Sequence, residues 1–229
     1  MKTNAKLLST LIALAMLGAA SPAFADFSAC DAALGTDDPH KQIDLYTICL
    51  TKGGLGLTDM SGALTNRGVA YHRIGENDKA LQDYTWAIED DPNWGTAYID
   101  RGDLYMQRGE CVKAAADFEK AVKVSIASLR APALNDEAWL YTTCPDPAFR
   151  NPRKAIDLAK ASIKLKDGPS IRDTLAVAFA AAGQFDDAVR EETAAIRLAD
   201  KTTTPDRLVQ FKAKLETYQK AAAAKAPGG

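Results

Sequence analysis

Residue types that commonly carry out chemistry are few in this sequence of 229 residues, and they are widely spaced. A zinc site needs about four Cys, His or acidic ligands, commonly with two cysteines separated by two to four residues. No two cysteines have that spacing, so the sequence predicts no metal site and no cofactor. The cysteines and histidines are Cys30, Cys49, Cys111, Cys144, His40 and His72.

Adjacent carboxylates, which could serve as a general acid and base, occur at Asp37-Asp38, Asp90-Asp91 and Asp186-Asp187. Acidic residues also stabilise helix N-termini, and Asp before Pro favours a turn, as at the first two pairs. We therefore interpret all three as helix-boundary residues. Because the sequence also has no phosphate-binding Gly-rich loop, His-Glu-x-x-His or Gly-x-Ser-x-Gly motif, it does not predict an enzyme.

The first 25 residues have the pattern of a secretory signal peptide. Lys2 and Lys6 precede an apolar run over residues 7–20, and Ala23-Phe24-Ala25 supplies small residues for cleavage. The run is shorter than the roughly 20 residues that span a bilayer. We expect a mature chain that begins at Asp26 in the periplasm or outside the cell. An uncleaved membrane anchor and a lipoprotein with a lipidated Cys30 are the alternatives.

The charge of the chain argues against nucleic acid as a partner. Removal of residues 1–25 eliminates two lysines and no acidic residue, so the formal net charge changes from −2 to −4. A mildly negative chain without a Lys/Arg cluster has no electrostatic attraction for phosphate backbones. No second apolar run has membrane-spanning length, so we expect no stable membrane insertion after cleavage.

An internal repeat with a period of 34 residues is the strongest signal in the sequence. Small residues allow two helices to approach closely, aromatic side chains fill the remaining volume, and glycine ends the first helix. Each block therefore predicts two antiparallel helices. The recurring residues are Gly68 and Gly102, Tyr71 and Tyr105, Gly75 and Gly109, Ala80 and Ala114, Tyr84 and Phe118, and Ala87 and Ala121.

This pattern resembles the tetratricopeptide-repeat (TPR) family, on the residues Gly68-x-x-Tyr71, Gly75, Ala80-x-x-x-Tyr84 and Pro92. The resemblance implies an all-α, right-handed superhelix of helical hairpins with a C-terminal capping helix. In the second block Ile126 stands in place of the proline, which predicts that its second helix continues through Leu129.

Two later stretches also resemble the family. One contains Ala138-Trp139-x-Tyr141 and is divergent, and the other contains Leu175-Ala176-x-x-Phe179. In the latter, Glu192 replaces the aromatic residue, so we expect a more exposed outer face. The predicted organisation is a signal peptide at 1–25, a partial repeat at 26–60, repeats at 61–94 and 95–128, a divergent repeat at 129–168, a repeat at 169–202, and a capping helix with a frayed tail at 203–229.

The cysteines favour disulfides, because an exported chain with an even number of them usually pairs them. Cys111 is predicted to begin the second helix of its block, and Cys144 to end the first helix of the next. These helix ends meet when the helices pack antiparallel. Cys30 can reach Cys49 only if residues 28–34 form a helix that folds back along the next one. We predict both pairs, with buried free thiols as the alternative.

The resemblance to TPR proteins implies that partners bind a concave surface lined by the first helix of each repeat. Asparagine can bond an extended backbone, and tryptophan is common at interface anchors. The recurring small and aromatic residues occupy one face of these helices, and the predicted binding residues lie on the other face. They are Thr65, Asn66, Val69, His72, Arg73, Ile99, Asp100, Asp103, Met106, Gln107, Asn135, Asp136, Trp139, Thr143, Asp173 and Val177.

We therefore predict a non-enzymatic scaffold or adaptor of the bacterial envelope that binds a protein or peptide. An enzyme or regulatory subunit with a site not visible as a motif, and a structural homo-oligomer, are the alternatives.

Overall fold

The computed structural model describes residues 28–52, 55–199 and 203–225, and within these ranges the chain is α-helical without strands, as predicted. The expected signal peptide and the end of the tail lie outside the described residues. No described helix is both long and apolar enough to cross a membrane. The helices are α1 (Ser28–Leu34), α2 (Pro39–Lys52), α3 (Leu57–Arg73), α4 (Asn77–Asp90), α5 (Gly95–Gln107), α6 (Cys111–Val124), α7 (Ala127–Thr143), α8 (Pro152–Leu165), α9 (Pro169–Ala181), α10 (Phe185–Leu198) and α11 (Pro205–Lys225).

Consecutive helices pack as five hairpins, α1 with α2 through α9 with α10, and α11 packs on α10. From α3 onward, the first helices of successive hairpins also contact one another. The second helices of the described ranges do not make comparable contacts with one another. The first helices therefore form the inner layer of a curved stack.

Two glycines in each of the best-matching hairpins determine its geometry. Gly75 and Gly109 adopt φ values of +81° and +74° between the two helices, a conformation that side chains with a Cβ rarely adopt. Gly68 lies against the ring of buried Tyr84, where an added Cβ would be 2.6 Å from Cε1. The corresponding distance from Gly102 to Phe118 is 2.7 Å. Only glycine therefore permits this approach of the first helix to the second.

An ion pair that we did not predict joins the same helices. The Arg67 guanidinium on α3 donates two hydrogen bonds of 2.8 Å to the Asp83 carboxylate on α4. Arg101 on α5 forms the same arrangement with Asp117 on α6. Both carboxylates are buried, and such bidentate bonds combine strength with fixed geometry. The ion pair thus repeats with the period of the hairpins.

Two disulfides connect helices in the pattern that the helix order predicts. Cys111 at the start of α6 pairs with Cys144 at the end of α7, with 6.2 Å between their Cα atoms. Cys30 in α1 pairs with Cys49 in α2, with 5.5 Å between Cα atoms. The described chain has no free cysteine. One bond thus links neighbouring hairpins, and the other closes the first hairpin.

The expectation that α6 continues through Leu129 is wrong. The helix ends at Val124, Ser125 has an extended conformation, and α7 begins at Ala127. Arg130 in the first turn of α7 donates hydrogen bonds to the carbonyl oxygens of Val122 and Ser125. Its guanidinium satisfies carbonyls that have no helical partner, so the turn forms without proline.

The expectation of a more exposed outer face at Glu192 is also wrong. Glu192 is fully buried, with 0% of its surface exposed. Both α9 and α11 pack against α10, and Asp173 of α9 and Lys214 of α11 lie near Glu192, so α11 completes the burial that the hairpin begins. The capping helix therefore covers an ionisable residue as well as apolar ones.

We expect Gly68→Ala to lower the free energy of unfolding by about 1–3 kcal/mol, because its methyl group would overlap the Tyr84 ring in a packed core. Urea unfolding followed by circular dichroism measures the change. Gly62→Ala in the same helix is the control, since its Cβ would have its nearest neighbour at 3.7 Å. The control should be neutral or stabilise by up to about 1 kcal/mol, because alanine favours a helix. Equal effects of the two substitutions would contradict the packing constraint.

Replacing Cys111 and Cys144 by serine should lower the free energy of unfolding by about 4 kcal/mol, because their disulfide closes a loop with a sequence separation of 33. The matched replacement of Cys30 and Cys49, separated by 19, should lower it by about 3 kcal/mol. Urea unfolding of the oxidised variants measures both. Free thiols in the oxidised wild-type protein, detected by non-reducing peptide mapping, would refute the pairing.

Candidate protein-interaction surface

The concave surface is the face of α3, α5, α7 and α9 that lies on the inside of the stack. All sixteen side chains predicted for it belong to these four helices. Thirteen are exposed or partly exposed. Asn66, Val69, Arg73 and Gln107 are the exposed ones. The partly exposed ones are His72, Asp100, Asp103, Met106, Asn135, Asp136, Trp139, Thr143 and Val177.

Three predicted surface residues are buried, so their assignment to partner contact is corrected. The Thr65 hydroxyl donates to the Ser61 carbonyl and accepts a 3.0 Å bond from Trp94 Nε1. Ile99 belongs to the apolar core between α5 and the neighbouring helices. Asp173 is only 2% exposed and bonds to Lys214 of α11. These three side chains lie inside the stack and are not part of its accessible surface.

Side chains near the ends of α3 and α5 form local bonds. His72 Nε2 lies 3.1 Å from Gln107 Oε1 and connects the two helices. The Arg73 guanidinium donates to Gln42 Oε1 and to the Asp37 carbonyl oxygen. Arg73 therefore connects α3 to the α1–α2 region. These bonds are exposed and can exchange for bonds to a bound chain.

Three carboxylates near the middle of the surface form the acidic patch, Asp100 and Asp103 on α5 and Asp136 on α7. Burial, and then repulsion from Asp136, raises the pKa of Asp100 to about 7. Burial, followed by repulsion from Asp136 and Asp100, raises the pKa of Asp103 to about 7. Burial also raises the pKa of Asp136 to about 6, against a hydrogen bond from Asn135 that lowers it. In the described part of the chain, no Lys or Arg forms an ion pair with these carboxylates.

The α7 end of the surface includes α11, which sequence reasoning did not place there. A cavity of about 320 Å³ lies between α7, α9 and α11, lined by Trp139 and Lys214 among others. Lys214 Nζ lies 5.7 Å from the centroid of the Trp139 ring, within the range of cation–π attraction. The predicted anchor Trp139 is thus partly covered by a side chain 75 residues away in sequence.

No His, Cys, Asp and Glu side chains in the described ranges form a group that could hold a metal ion. The acidic patch therefore has charge but no metal-ligand geometry.

Comparison with known proteins places this geometry in a known structural class. No protein-family model matches the chain. A stretch of 66 residues, 28% of the chain, is 38% identical to human Tetratricopeptide repeat protein 6 and covers 13% of that protein.

Solved structures are similar over most of the chain. A thermophilic TPR protein of Thermus thermophilus has a TM-score of 0.61 at 20% identity, over 82% of this chain and 94% of that one. PilF of Pseudomonas aeruginosa has a TM-score of 0.66 at 12% identity, over 88% and 92%. BtubC of P. vanneervenii has a TM-score of 0.66 at 17% identity, over 86% and 85%. The chain therefore has the tetratricopeptide-repeat fold, which confirms the resemblance that its 34-residue period predicts.

Proposed function

We propose that the chain is a protein-interaction scaffold without catalytic activity of its own, and that its concave surface holds an extended segment of a partner protein. The acidic patch is the observation that supports this most. It concentrates three carboxylates on the inner face of the stack and leaves them without a cationic partner in the described chain. Surface charges that only solvate a protein seldom gather in such a half-buried position.

The chemistry of the acidic patch favours a segment that carries Lys or Arg. Raised pKa values mean that the ionised carboxylates are destabilised by burial and by one another. A cation placed between the carboxylates would reduce their mutual repulsion and would stabilise their ionised form in the buried position. Asn66 on α3 and Asn135, which bonds to Asp136 on α7, provide amide groups, which can bond both the N–H and the C=O of an extended backbone.

The proposed setting is the periplasm or the outside of the cell. Two disulfides join helices of the described chain, and disulfides persist in oxidising compartments. The signal-peptide pattern of residues 1–25 supports the same setting. An adaptor that works there needs a fold that survives without cytoplasmic chaperones, and covalent links between hairpins contribute to that.

Binding should be measured with a labelled decapeptide of alternating Lys and Gly, using fluorescence anisotropy at low ionic strength. We expect the Asp100→Asn, Asp103→Asn double variant to bind about thirtyfold more weakly, because each of the two lost charge pairs removes roughly 1 kcal/mol. Binding to the wild type should weaken from pH 8 to pH 5.5, since protons compete with the peptide for carboxylates whose pKa lies at about 6 to 7.

The matched control is the Asp157→Asn, Asp186→Asn double variant, which removes two exposed carboxylates from the second helices α8 and α10. It should change affinity less than twofold. A decapeptide of alternating Glu and Gly should not bind. Equal loss of affinity in both double variants would mean that net charge alone attracts the peptide, and would contradict the assignment of the acidic patch.

Expression of the full chain in a Gram-negative bacterium tests the proposed cellular compartment. We expect N-terminal sequencing of protein from the periplasmic fraction to begin at Asp26, because the preceding Ala-x-Ala pattern fits a signal peptidase. A protein that begins at a lipidated Cys30, or that retains Met1 in the membrane fraction, would contradict this expectation. Trapping of thiols during lysis should show the cysteines oxidised.

A further inference from the structure

Glu192 on α10 has an environment that the rest of the fold does not explain. It occupies the place of the aromatic residues Tyr84 and Phe118 and is fully buried. Neither of its carboxylate oxygens receives a hydrogen bond from a donor. A buried ionised carboxylate without donors is strongly unfavourable, so the local chemistry favours a protonated Glu192.

The groups that face Glu192 come from both helices packed on α10. From α9, Asp173 presents a buried carboxylate to it. From α11, Lys214 Nζ bonds to Asp173 Oδ1. The Arg207 guanidinium of the same helix lies 3.9 Å from Asp173 Oδ2. Tyr218, also on α11, is buried close to Glu192. Glu191, next in sequence, instead pairs with Arg172.

A proton on Glu192 supplies the hydrogen bond that this cluster of side chains otherwise lacks. As a carboxylic acid, Glu192 can donate its O–H to the Asp173 carboxylate, which retains its bond to Lys214. Burial, and then repulsion from Asp173, raises the pKa of Glu192 to about 8, while Lys214 and Arg207 lower it. Without the proton, two buried carboxylates face each other and no donor serves Glu192. The protonated form therefore matches the packing of α11 on α9 and α10.

The same helix covers part of the concave surface. Lys214, which bonds to Asp173, also lies over the Trp139 ring. Arg207 and Gln210 of α11 line the cavity beside Trp139. Movement of α11 away from α9 would therefore uncover both Glu192 and Trp139.

We propose that α11 is a proton-sensitive cover, held over the Trp139 end of the concave surface by a proton that Glu192 shares with Asp173, and released when that proton is lost. The proposal concerns the docking of α11 within the chain and holds whether or not the concave surface binds a basic segment.

The direction of the pH dependence follows from linkage. The pKa of Glu192 in the docked state lies above its ordinary value of 4.5, so the docked state binds the proton more tightly than the released state. Docking is therefore strongest below pH 4.5 and weakens as pH rises toward 8. The docking equilibrium can change by at most about tenfold for each pH unit in this interval.

Hydrogen–deuterium exchange of the oxidised full-length mature protein between pH 6 and pH 9 tests the cover. After correction for intrinsic exchange, the amide protection of α11 should fall at least tenfold, while that of α3 and α4 changes little. In Glu192→Gln, which mimics the neutral acid, the protection of α11 should stay constant with pH. Glu216→Gln, an exposed site on α11 itself, should retain the wild-type decrease.

Two outcomes would overturn the proposal. One is constant protection of α11 in the wild type, and the other is the same decrease in Glu192→Gln as in the wild type. If Glu192→Gln does not fold, carbon-13 NMR titration of the Glu192 carboxyl in the wild type decides. An apparent pKa above 6 supports the cover, and an ionised Glu192 at pH 6 refutes it.

Discussion

The contact of a glycine with an aromatic ring at each hairpin crossing is the constraint on which the stack depends. Because Gly68 has no side chain, α3 lies directly against the Tyr84 ring, and Gly102 permits the same contact with Phe118. At that short distance Arg67 reaches Asp83 with two bonds, so packing and ion pairing support one geometry. Repetition of this hairpin places the first helices side by side, and their free face becomes one continuous surface.

Sequence reasoning was most successful where a physical requirement is local to one hairpin. The 34-residue period, the glycines after the first helices and the small residues at the crossings predict the fold class and the hairpins. It failed where residues that are distant in sequence determine where a helix ends or whether a side chain is buried. The end of α6 depends on Arg130 of the following helix, and the burial of Glu192 depends on α11. Neither interaction leaves a pattern in the stretch that it controls.

The candidate surface, too, was predictable from the sequence only where the requirement is local to one helix. Helical spacing assigned sixteen residues to one face, and thirteen of them have exposed or partly exposed side chains. The pKa shifts of the surface carboxylates were not predictable from the sequence. Asp100 and Asp136 are 36 positions apart in sequence, and only the contact of α5 with α7 brings them together. The raised pKa values of the acidic patch and the contact of Lys214 with Trp139 are likewise properties of the assembled stack.

The central claim is that partners bind the inner face of the stack and not its outer face. Photo-crosslinking from a benzoylphenylalanine side chain in living cells tests it most directly, with the photoreactive residue placed at Val69 or at Val112. Val69 lies on the inner helix α3 and is 37% exposed, whereas Val112 lies on the outer helix α6 and is 74% exposed. The account predicts discrete crosslinked partner bands from position 69 and none from the more exposed position 112. Equal crosslinking from both positions, or crosslinking from position 112 alone, would contradict it.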